Sequence, residues 1–177
     1  MLADMSPRLL VFSGLPGTGK STLARQLAGH LRAVYLRMDS VEAALLNAGL
    51  PAVSTEGYAV SYALAEDQLR PGMEVVVDCV NPLGVTRGAW ADVAGRTGAH
   101  LVNLEVVCVD SAEHQRRVET RRAQPEDHSG RWSPPDWPQA QRSAQGYQAW
   151  TSPHLTVETG RGTPEENFGA LLKLLGG

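Results

Sequence analysis

The stretch from Leu9 to Leu31 constrains the fold more than any other part of the chain. Its centre is the run Gly14-Leu-Pro-Gly-Thr-Gly-Lys-Ser-Thr22, which has the Walker A spacing of glycine, lysine and serine. That spacing requires a strand, a phosphate-binding loop and a helix, in this order. An apolar run precedes the loop, and leucines at helical spacing follow it, so both flanks agree with the motif. The sequence therefore predicts an anion-binding loop between a buried strand and the first helix.

Each residue type in this loop suits the phosphates of a nucleotide. Glycines let the backbone turn tightly with its amides pointing into one concavity, and the helix N-terminus adds free N–H groups. Lys20 is one of only two lysines in the chain and supplies a compact charge for the outer phosphates. The Ser21 hydroxyl is placed to bind Mg²⁺. The predicted nucleotide-binding residues are Gly14, Leu15, Pro16, Gly17, Thr18, Gly19, Lys20, Ser21 and Thr22.

The length of 177 residues predicts a single domain over 1–177. A hydrophobic fraction of 42% and a charged fraction of 20% are typical of soluble globular proteins. The net charge of −3 argues against a general nucleic-acid binder. No apolar stretch is long enough for a membrane span, and the start of the chain, with Asp4 and Pro7, lacks a secretory pattern. Cys79 and Cys108 lie in apolar runs and are predicted to be buried core thiols, so we expect a cytoplasmic protein.

Strand patterns alternate with helix patterns along the whole chain. Strands are predicted over residues 8–13, 33–37, 74–80, 101–109 and 155–158. Helices are predicted over residues 19–31, 41–46, 56–70, 86–96, 111–122, 139–150 and 164–175. This alternation predicts an α/β, three-layer P-loop NTPase fold, with a five-stranded parallel sheet and helices on both faces. Ligands of such sheets bind at the carboxyl ends of the strands.

The composition changes between Ala123 and Pro138, where the chain is polar, rich in proline and without a period. A helix and a strand follow, so this stretch is predicted to be a mobile flap, or lid, of the same domain and not a linker. Trp132 and Trp137 flank its prolines. These two rings could cover a ligand or simply pack the flap down.

Two aspartates follow neighbouring strands at the predicted ligand-binding edge. Asp39 comes after the second strand, and Asp78 lies near the end of the third. Phosphoryl transfer needs one carboxylate near the metal and another near the acceptor hydroxyl. For Asp39 the alternative is a helix N-cap, whereas a carboxylate buried after three valines is costly unless it is paired or near a metal. The pattern leaves open which aspartate is the base.

Several arginines could complete such a site. Arg117 and Arg121 are four residues apart on the helix that leads into the flap, so they share one face. They could stack on a base and hold phosphates as the flap closes, or they could lie on a solvated face. Arg87 could reach acceptor or phosphate, or lie at the surface, and Arg131 lies inside the flap. The five histidines show no metal-ligand spacing, and we assign them no role.

Three blocks of the chain resemble the small P-loop kinases. This group includes the polynucleotide 5′-hydroxyl kinase domain, chloramphenicol phosphotransferase, zeta-toxin kinases and gluconate kinase-like enzymes. The blocks are Gly14 to Thr22, Met38-Asp39-Ser40, and Val75 to Asn81 with Arg87 and Trp90. The resemblance implies that Asp39 is the general base and that Asp78 supports Mg²⁺ or the acceptor. The spacing of Arg117 and Arg121 also resembles the start of the lid in nucleoside monophosphate kinases, which implies that Arg117 stacks on adenine while Arg121 contacts phosphate.

The chain departs from the polynucleotide kinase pattern at Val80, where a threonine is expected, and at Glu42, where an arginine is expected. The second departure argues against a nucleic-acid acceptor, and the run Asp39 to Glu42 resembles the antibiotic phosphotransferase version. We therefore expect an ATP- and Mg²⁺-dependent phosphotransferase acting on a small-molecule hydroxyl. Its catalytic residues would be Lys20, Asp39 and Arg121, and its metal ligands Ser21 and Asp78.

The acceptor pocket is expected between the loop after Asp39, residues 51–66 and the flap. Two alternatives stay open. One is an antibiotic-modifying or nucleotide-sugar kinase, and the other is an ATP-binding switch or assembly factor with slow hydrolysis.

Overall fold

A computed structural model describes residues 6–176 of the chain, so Asp4 lies outside the described residues. Within them, five strands form one sheet in the order β2-β3-β1-β4-β5, and every neighbouring pair is parallel. The strands are β1 (Arg8–Ser13), β2 (Val34–Arg37), β3 (Val75–Asp78), β4 (His100–Val107) and β5 (Leu155–Glu158). The predicted five-stranded parallel sheet of an α/β, three-layer fold is confirmed.

Helices cover both faces of this sheet. They are α1 (Lys20–Leu31), α2 (Met38–Asn47), α3 (Glu56–Leu69), α4 (Gly84–Thr97), α5 (Ser111–Ala123), α6 (Trp137–Gln145) and α7 (Pro164–Leu174). One core cluster joins Leu9 and Val11 of β1 to α3 and α4, and Trp90 is its largest fully buried side chain. A second cluster joins Leu10 and Phe12 to α1 and α7. Because β1 is buried on both faces, its sequence is an unbroken apolar run instead of an alternating one.

Most predicted element bounds agree with the structure, and the differences have local causes. The predicted start of α2 at residue 41 is wrong because the helix already begins at Met38, and no side chain caps it. The bounds 139–150 for α6 are also wrong. A capping box between Asp136 and Gln139 starts this helix at Trp137, and it ends before Gly146.

The segment behind α6, which has no regular secondary structure, is held by Arg87, which is buried on α4. Its guanidinium donates to the backbone carbonyls of Asn81, Pro82, Gln148 and Ala149. The same group lies 5.0 Å from the ring centre of Tyr147 and 4.0 Å from that of Trp150. Arg87 therefore has its donors on backbone carbonyls, and its placement does not support the predicted contact with acceptor or phosphate.

The residues between α5 and α6 form the lid, 124–136, which is shorter than the predicted flap because α5 and α6 take up its ends. It contains a 3-10 turn at Pro125–Asp127 and a tight bridge between Ser129 and Trp132. The side chain of Asn47, at the end of α2, donates to the Ser129 carbonyl and accepts from the Arg131 amide. The Arg131 guanidinium donates to the Leu46 and Leu50 carbonyls, both at 2.8 Å. The lid is thus docked on the C-terminal end of α2.

Two smaller expectations can be compared with the structure. Cys79 is buried as predicted, but Cys108 is only half-buried because it follows β4 in the loop that leads to α5. Within residues 6–176, no helix combines the length and the apolar character needed to cross a bilayer.

Candidate functional site

In the loop between β1 and α1, two glycines are required both by backbone conformation and by the lack of room for a side chain. Gly14 and Gly17 have φ angles of 147° and 82°, which side chains rarely tolerate. A Cβ on Gly14 would lie 2.4 Å from the carbonyl oxygen of Val106, and one on Gly17 would lie 2.4 Å from Cγ2 of Val118. The loop is therefore packed directly against β4 and α5. On its other side, the loop borders an open cleft.

The N-terminus of α1 is open toward solvent on the concave side of this loop. Gly19 occupies the N-cap position with φ of 91°, and no side chain caps the helix. The first amides of α1 are thus available to an anion, and the helix dipole favours one there. Lys20 is buried at the first helical position, with only 7% exposure. The arrangement is chemically suited to a phosphate, with a lysine beside the helix N-terminus.

A cleft of about 540 Å³ lies over this helix N-terminus and is closed on one side by α5. The predicted nucleotide-binding residues that line it are Gly17, Gly19, Lys20, Ser21, Thr22 and Arg117. Four others lie elsewhere in the loop. Gly14, Leu15 and Thr18 belong to the loop but do not line the cleft. The Thr18 hydroxyl donates to the Leu15 carbonyl at 3.0 Å. Pro16 lines a second cleft, which is described below. We call the 540 Å³ space the loop cleft.

Arg117 is fixed at the wall of the loop cleft. Its Nε donates to Glu113 at 2.6 Å, and its two terminal nitrogens donate to the hydroxyl and carbonyl oxygens of Thr159 at 3.0 and 2.9 Å. The Thr159 hydroxyl in turn donates to the carbonyl of Thr18 in the loop. Hydrogen bonds from Arg116 and Arg117 lower the pKa of Glu113 to about 2. Arg117 therefore ties α5 to both the phosphate loop and the end of β5.

A second cleft, of about 360 Å³, lies on the other side of Lys20, and we call it the α2 cleft. Its walls are formed by Met38, Asp39 and Glu42 of α2, by Tyr58 of α3 and by Trp132 of the lid. These are the segments in which the sequence predicts the acceptor pocket. Lys20 and Arg121 line both clefts and form the wall between them.

Asp39 faces the α2 cleft in the first turn of α2, and its side chain does not cap the helix. Its Oδ2 accepts from Arg121 Nη2 at 2.7 Å and from Arg37 Nη2 at 3.3 Å. Burial acts to raise the pKa of Asp39, but Lys20, Arg121 and Arg37 together hold it below its usual value. Asp39 is thus a carboxylate at neutral pH, directly beside the lysine of the phosphate loop.

Asp78 also lines the α2 cleft and is almost fully buried at the end of β3. Its Oδ2 accepts a hydrogen bond of 2.8 Å from the Tyr35 hydroxyl. Burial and the neighbouring Asp78 carboxylate raise the pKa of Tyr35, so the tyrosine stays a donor. The buried carboxylate is therefore paired, as its cost requires.

The two residues predicted to hold Mg²⁺, Ser21 and Asp78, line different clefts. Residues 6–176 contain no group of three or more His, Cys, Asp or Glu side chains that could enclose a metal. Mg²⁺ is usually held by one or two protein oxygens together with substrate phosphates and water. Ser21 in the loop cleft and Asp78 offer a hydroxyl and a carboxylate of that kind.

Sequence reasoning missed several residues that shape the site. His114 is buried on α5, and its Nε2 lies 2.7 Å from the carbonyl oxygen of Pro16 in the phosphate loop. Thr159 joins the same loop to Arg117. Glu42 departs from the polynucleotide kinase pattern, which marks it in the sequence, but the sequence predicts no role for it. Burial and the nearby Asp39 carboxylate raise the pKa of Glu42 to about 7, although a hydrogen bond from Trp132 opposes them.

The loop after β3, which carries the third resembling block, is built around a buried Asn81. Its backbone has φ of 51°, and its side chain donates to the Ser13 hydroxyl at 2.9 Å and accepts from the Thr86 hydroxyl at 2.8 Å. Its amide donates to the Tyr58 hydroxyl. Asn81 thus positions the floor of the α2 cleft and does not itself line it.

Comparison with known proteins agrees with this geometry. The profile of the AAA domain family matches residues 9–132, and the chain belongs to this family. No curated protein sequence matches the chain significantly.

Solved structures show the same fold over nearly the whole chain. APS kinase CysC from Mycobacterium tuberculosis, solved with AMPPNP and APS, is 20% identical, with a TM-score of 0.68 over 97% of this chain and 99% of its own. Kti12 from Chaetomium thermophilum, solved with ADP-AlF3, is 20% identical, with a TM-score of 0.69 over 96% and 100%. A gluconokinase from Sinorhizobium meliloti is 16% identical, with a TM-score of 0.62 over 96% of each chain. The predicted resemblance to small P-loop kinases is confirmed at the level of the fold.

Proposed function

We propose that this chain is an ATP-dependent phosphotransferase that moves the γ-phosphate of MgATP to a hydroxyl group of a small molecule. The observation that carries the proposal is the pair of clefts divided by Lys20 and Arg121. One cleft lies over a helix N-terminus suited to phosphates, and the other presents a carboxylate suited to a hydroxyl group. The APS kinase of the same fold was solved with a nucleotide analogue and a second small molecule together.

The loop cleft would hold the nucleotide. Its phosphates would lie on the amides at the start of α1, with Lys20 beside the outermost one. Arg117 lies close to Gly19 and would contact the nucleotide from the side of α5. Ser21 and Asp78 would hold Mg²⁺, which neutralises phosphate charge when it is bound.

The α2 cleft would hold the acceptor with its hydroxyl next to Asp39. The hydroxyl oxygen forms a bond to the γ-phosphorus and gives its proton to the Asp39 carboxylate. The bond from that phosphorus to the bridging oxygen breaks, and ADP leaves with the electron pair. The low pKa of Asp39 keeps the carboxylate ionised and ready to accept a proton at neutral pH.

Arg121 and the lid would complete the transfer. Arg121 lies in the wall between the clefts, where its positive charge can stabilise the phosphoryl group during transfer from donor to acceptor. Lid residues Trp132, Ser133 and Pro135 line the α2 cleft, so a closed lid keeps water from competing with the acceptor. In this proposal residues 1–177 act as one kinase domain.

The test is a transfer screen with MgATP and a panel of sugars, nucleosides, antibiotics and 5′-hydroxyl oligonucleotides. Asp39→Asn is expected to keep ATP binding and to lower kcat for transfer by about 10²- to 10⁴-fold. Asp67→Asn, which removes an exposed carboxylate from α3, is the matched control and should transfer normally.

Two outcomes would contradict parts of the proposal. Near-normal transfer by Asp39→Asn would remove Asp39 as the base. A rate of ATP hydrolysis that is the same with every acceptor and in both variants would favour the nucleotide-dependent switch. A protein partner would then be sought.

A further inference from the structure

The α2 cleft has a charge pattern that limits what it can bind. Asp39, Glu42 and Asp78 place three carboxyl groups on its lining. Among the described residues, its lysine and arginine lining is limited to Lys20 and Arg121, which stand in the wall shared with the loop cleft. Arg121 is already paired with Asp39. Beyond that wall, the cleft presents negative charge without a cation of its own.

Glu42 and Asp78 are the carboxyl groups in this cleft without a positive partner among the described residues, but Asp78 already accepts a hydrogen bond from the Tyr35 hydroxyl. Glu42 lies one helical turn after Asp39, and it forms no ion pair within the part of the chain that the structure describes. Its hydrogen-bond partner is the side chain of Trp132 in the lid. A partly buried carboxylate without a cation is unfavourable, and the raised pKa of Glu42 expresses this cost. A cationic ligand would remove the cost.

The remaining lining gives room for a carbon skeleton with hydroxyl groups. Met38 and Trp132 are buried and offer apolar surface, and Tyr58 adds an aromatic ring. Ser133 of the lid and Ser143 of α6 add hydroxyl groups. A volume of about 360 Å³ suits a small molecule and is too small for a macromolecule.

Resting on the proposed function, we infer that the acceptor is a hydroxyl compound that also carries an ammonium group, such as an amino sugar or an aminocyclitol. Glu42 binds the ammonium group, and Asp39 faces the hydroxyl that receives the phosphate. Acceptors with a phosphate, sulfate or carboxylate group in place of the ammonium group are rejected because that group would face the Glu42 carboxylate, which has no compensating cation.

The experiment measures kcat and KM for acceptors that share one skeleton and differ in charge. Glucose, glucosamine and glucuronate form one such set, and neutral, aminated and carboxylated cyclitols form a second. The intact protein is expected to have its lowest KM for the aminated member. Glu42→Gln is expected to raise that KM about 10- to 100-fold, the loss typical of a charge-assisted hydrogen bond, with little change in kcat. The KM of Glu42→Gln for neutral members should change by less than about threefold.

Two further variants separate recognition from structural damage. Glu42→Asp keeps the charge and should retain the preference for the aminated member. Asp67→Asn removes an exposed carboxylate from α3 and should leave every KM unchanged.

The outcomes distinguish this inference from the proposed function. Equal KM values within each set, or a preference for carboxylated members, would overturn the ammonium acceptor while leaving the kinase in place. Transfer to no compound of the panel by a protein that still binds ATP would overturn both.

Discussion

Nη2 of Arg121 donates a hydrogen bond of 2.7 Å to Oδ2 of Asp39 and so joins the helix that enters the lid to the helix that follows β2. The guanidinium also lies 5.6 Å from the ring centre of Trp132 in the lid. Both partners stand where the loop cleft meets the α2 cleft. Nucleotide phosphates entering the loop cleft would compete with Asp39 for this arginine. The ion pair therefore links nucleotide binding to the state of the proposed base.

Replacing Arg121 with alanine should affect transfer in two ways. The transferred phosphoryl group loses a positive neighbour, so kcat should fall about 10²- to 10³-fold. Asp39 loses a cation that lowers its pKa, so the acidic limb of the pH profile for kcat/KM should move to higher pH. Arg96→Ala, which removes an exposed arginine of α4, is the control. An unchanged acidic limb would show that Arg121 does not set the ionisation of the base.

Replacing Lys20 with alanine should abolish transfer while leaving the fold intact. The ammonium group is buried against the phosphate loop, where no other lysine can take its place, so we expect kcat to fall by about 10³-fold or more. Circular dichroism and the melting temperature should stay close to those of the intact protein. The matched control is Lys173→Ala, because Lys173 is the other lysine and is exposed on α7. Comparable losses in both variants would point to a general effect of lysine removal.

The raised pKa of Glu42 predicts a pH-dependent stability difference. The folded pKa of about 7 lies above the ordinary value of 4.5, so the folded state binds the proton more tightly than the unfolded state. Glu42 therefore costs stability progressively as pH rises from about 4.5 to 7, and the cost is constant above that range. Glu42→Gln removes it and should be more stable than the intact protein by about 2 kcal/mol at pH 8, a figure discounted for the exposed part of the side chain.

Urea unfolding at pH 4.5, 6 and 8 measures this difference directly. The gain from Glu42→Gln should be near zero at pH 4.5 and largest at pH 8. A gain that does not vary with pH would mean that burial does not perturb Glu42.

Replacing Arg131 with alanine should loosen the lid without unfolding the domain. The change removes two hydrogen bonds to the end of α2, and because Arg131 is exposed, stability should fall by less than about 1 kcal/mol. Limited proteolysis within 124–136 should become faster, and more ATP should be hydrolysed without transfer to the acceptor. Arg142→Ala, at an exposed arginine of α6, should do neither. Equal proteolysis of both variants would show that Arg131 does not hold the lid.

The sequence predicts best what depends on neighbours in the chain. The run from Gly14 to Thr22 specifies the phosphate loop because its turns need glycine at fixed spacing. The central strands β1 and β3 are found because they are almost entirely apolar and buried on both faces. The sequence does not predict the end of α6 because the segment behind it is held by Arg87, which lies about 60 residues earlier in the chain.

The site residues that escaped prediction depend on long-range packing. His114 acts on the carbonyl of Pro16, 98 positions away, and no local pattern marks this contact. Thr159 meets Arg117 only because β5 ends beside α5. Glu42 is visible in the sequence as an exception to a pattern, but its lack of a cation becomes apparent only when the lid and α3 are in place. The sequence therefore identifies residue types with suitable chemistry, but the residues that they contact can be identified only from the folded structure.

The hydrogen bonds from Arg87 to the segment behind α6 have a consequence for how this chain can change over evolutionary time. Two of its hydrogen bonds end on the backbone carbonyls of Gln148 and Ala149, and every amino acid offers such a carbonyl. The anchor therefore tolerates replacement of these two side chains. Ser133 and Ser143 line the α2 cleft upstream of the anchor. If the α2 cleft holds the acceptor as proposed, substitutions at these serines would change the choice of acceptor while the backbone anchored by Arg87 stays in place.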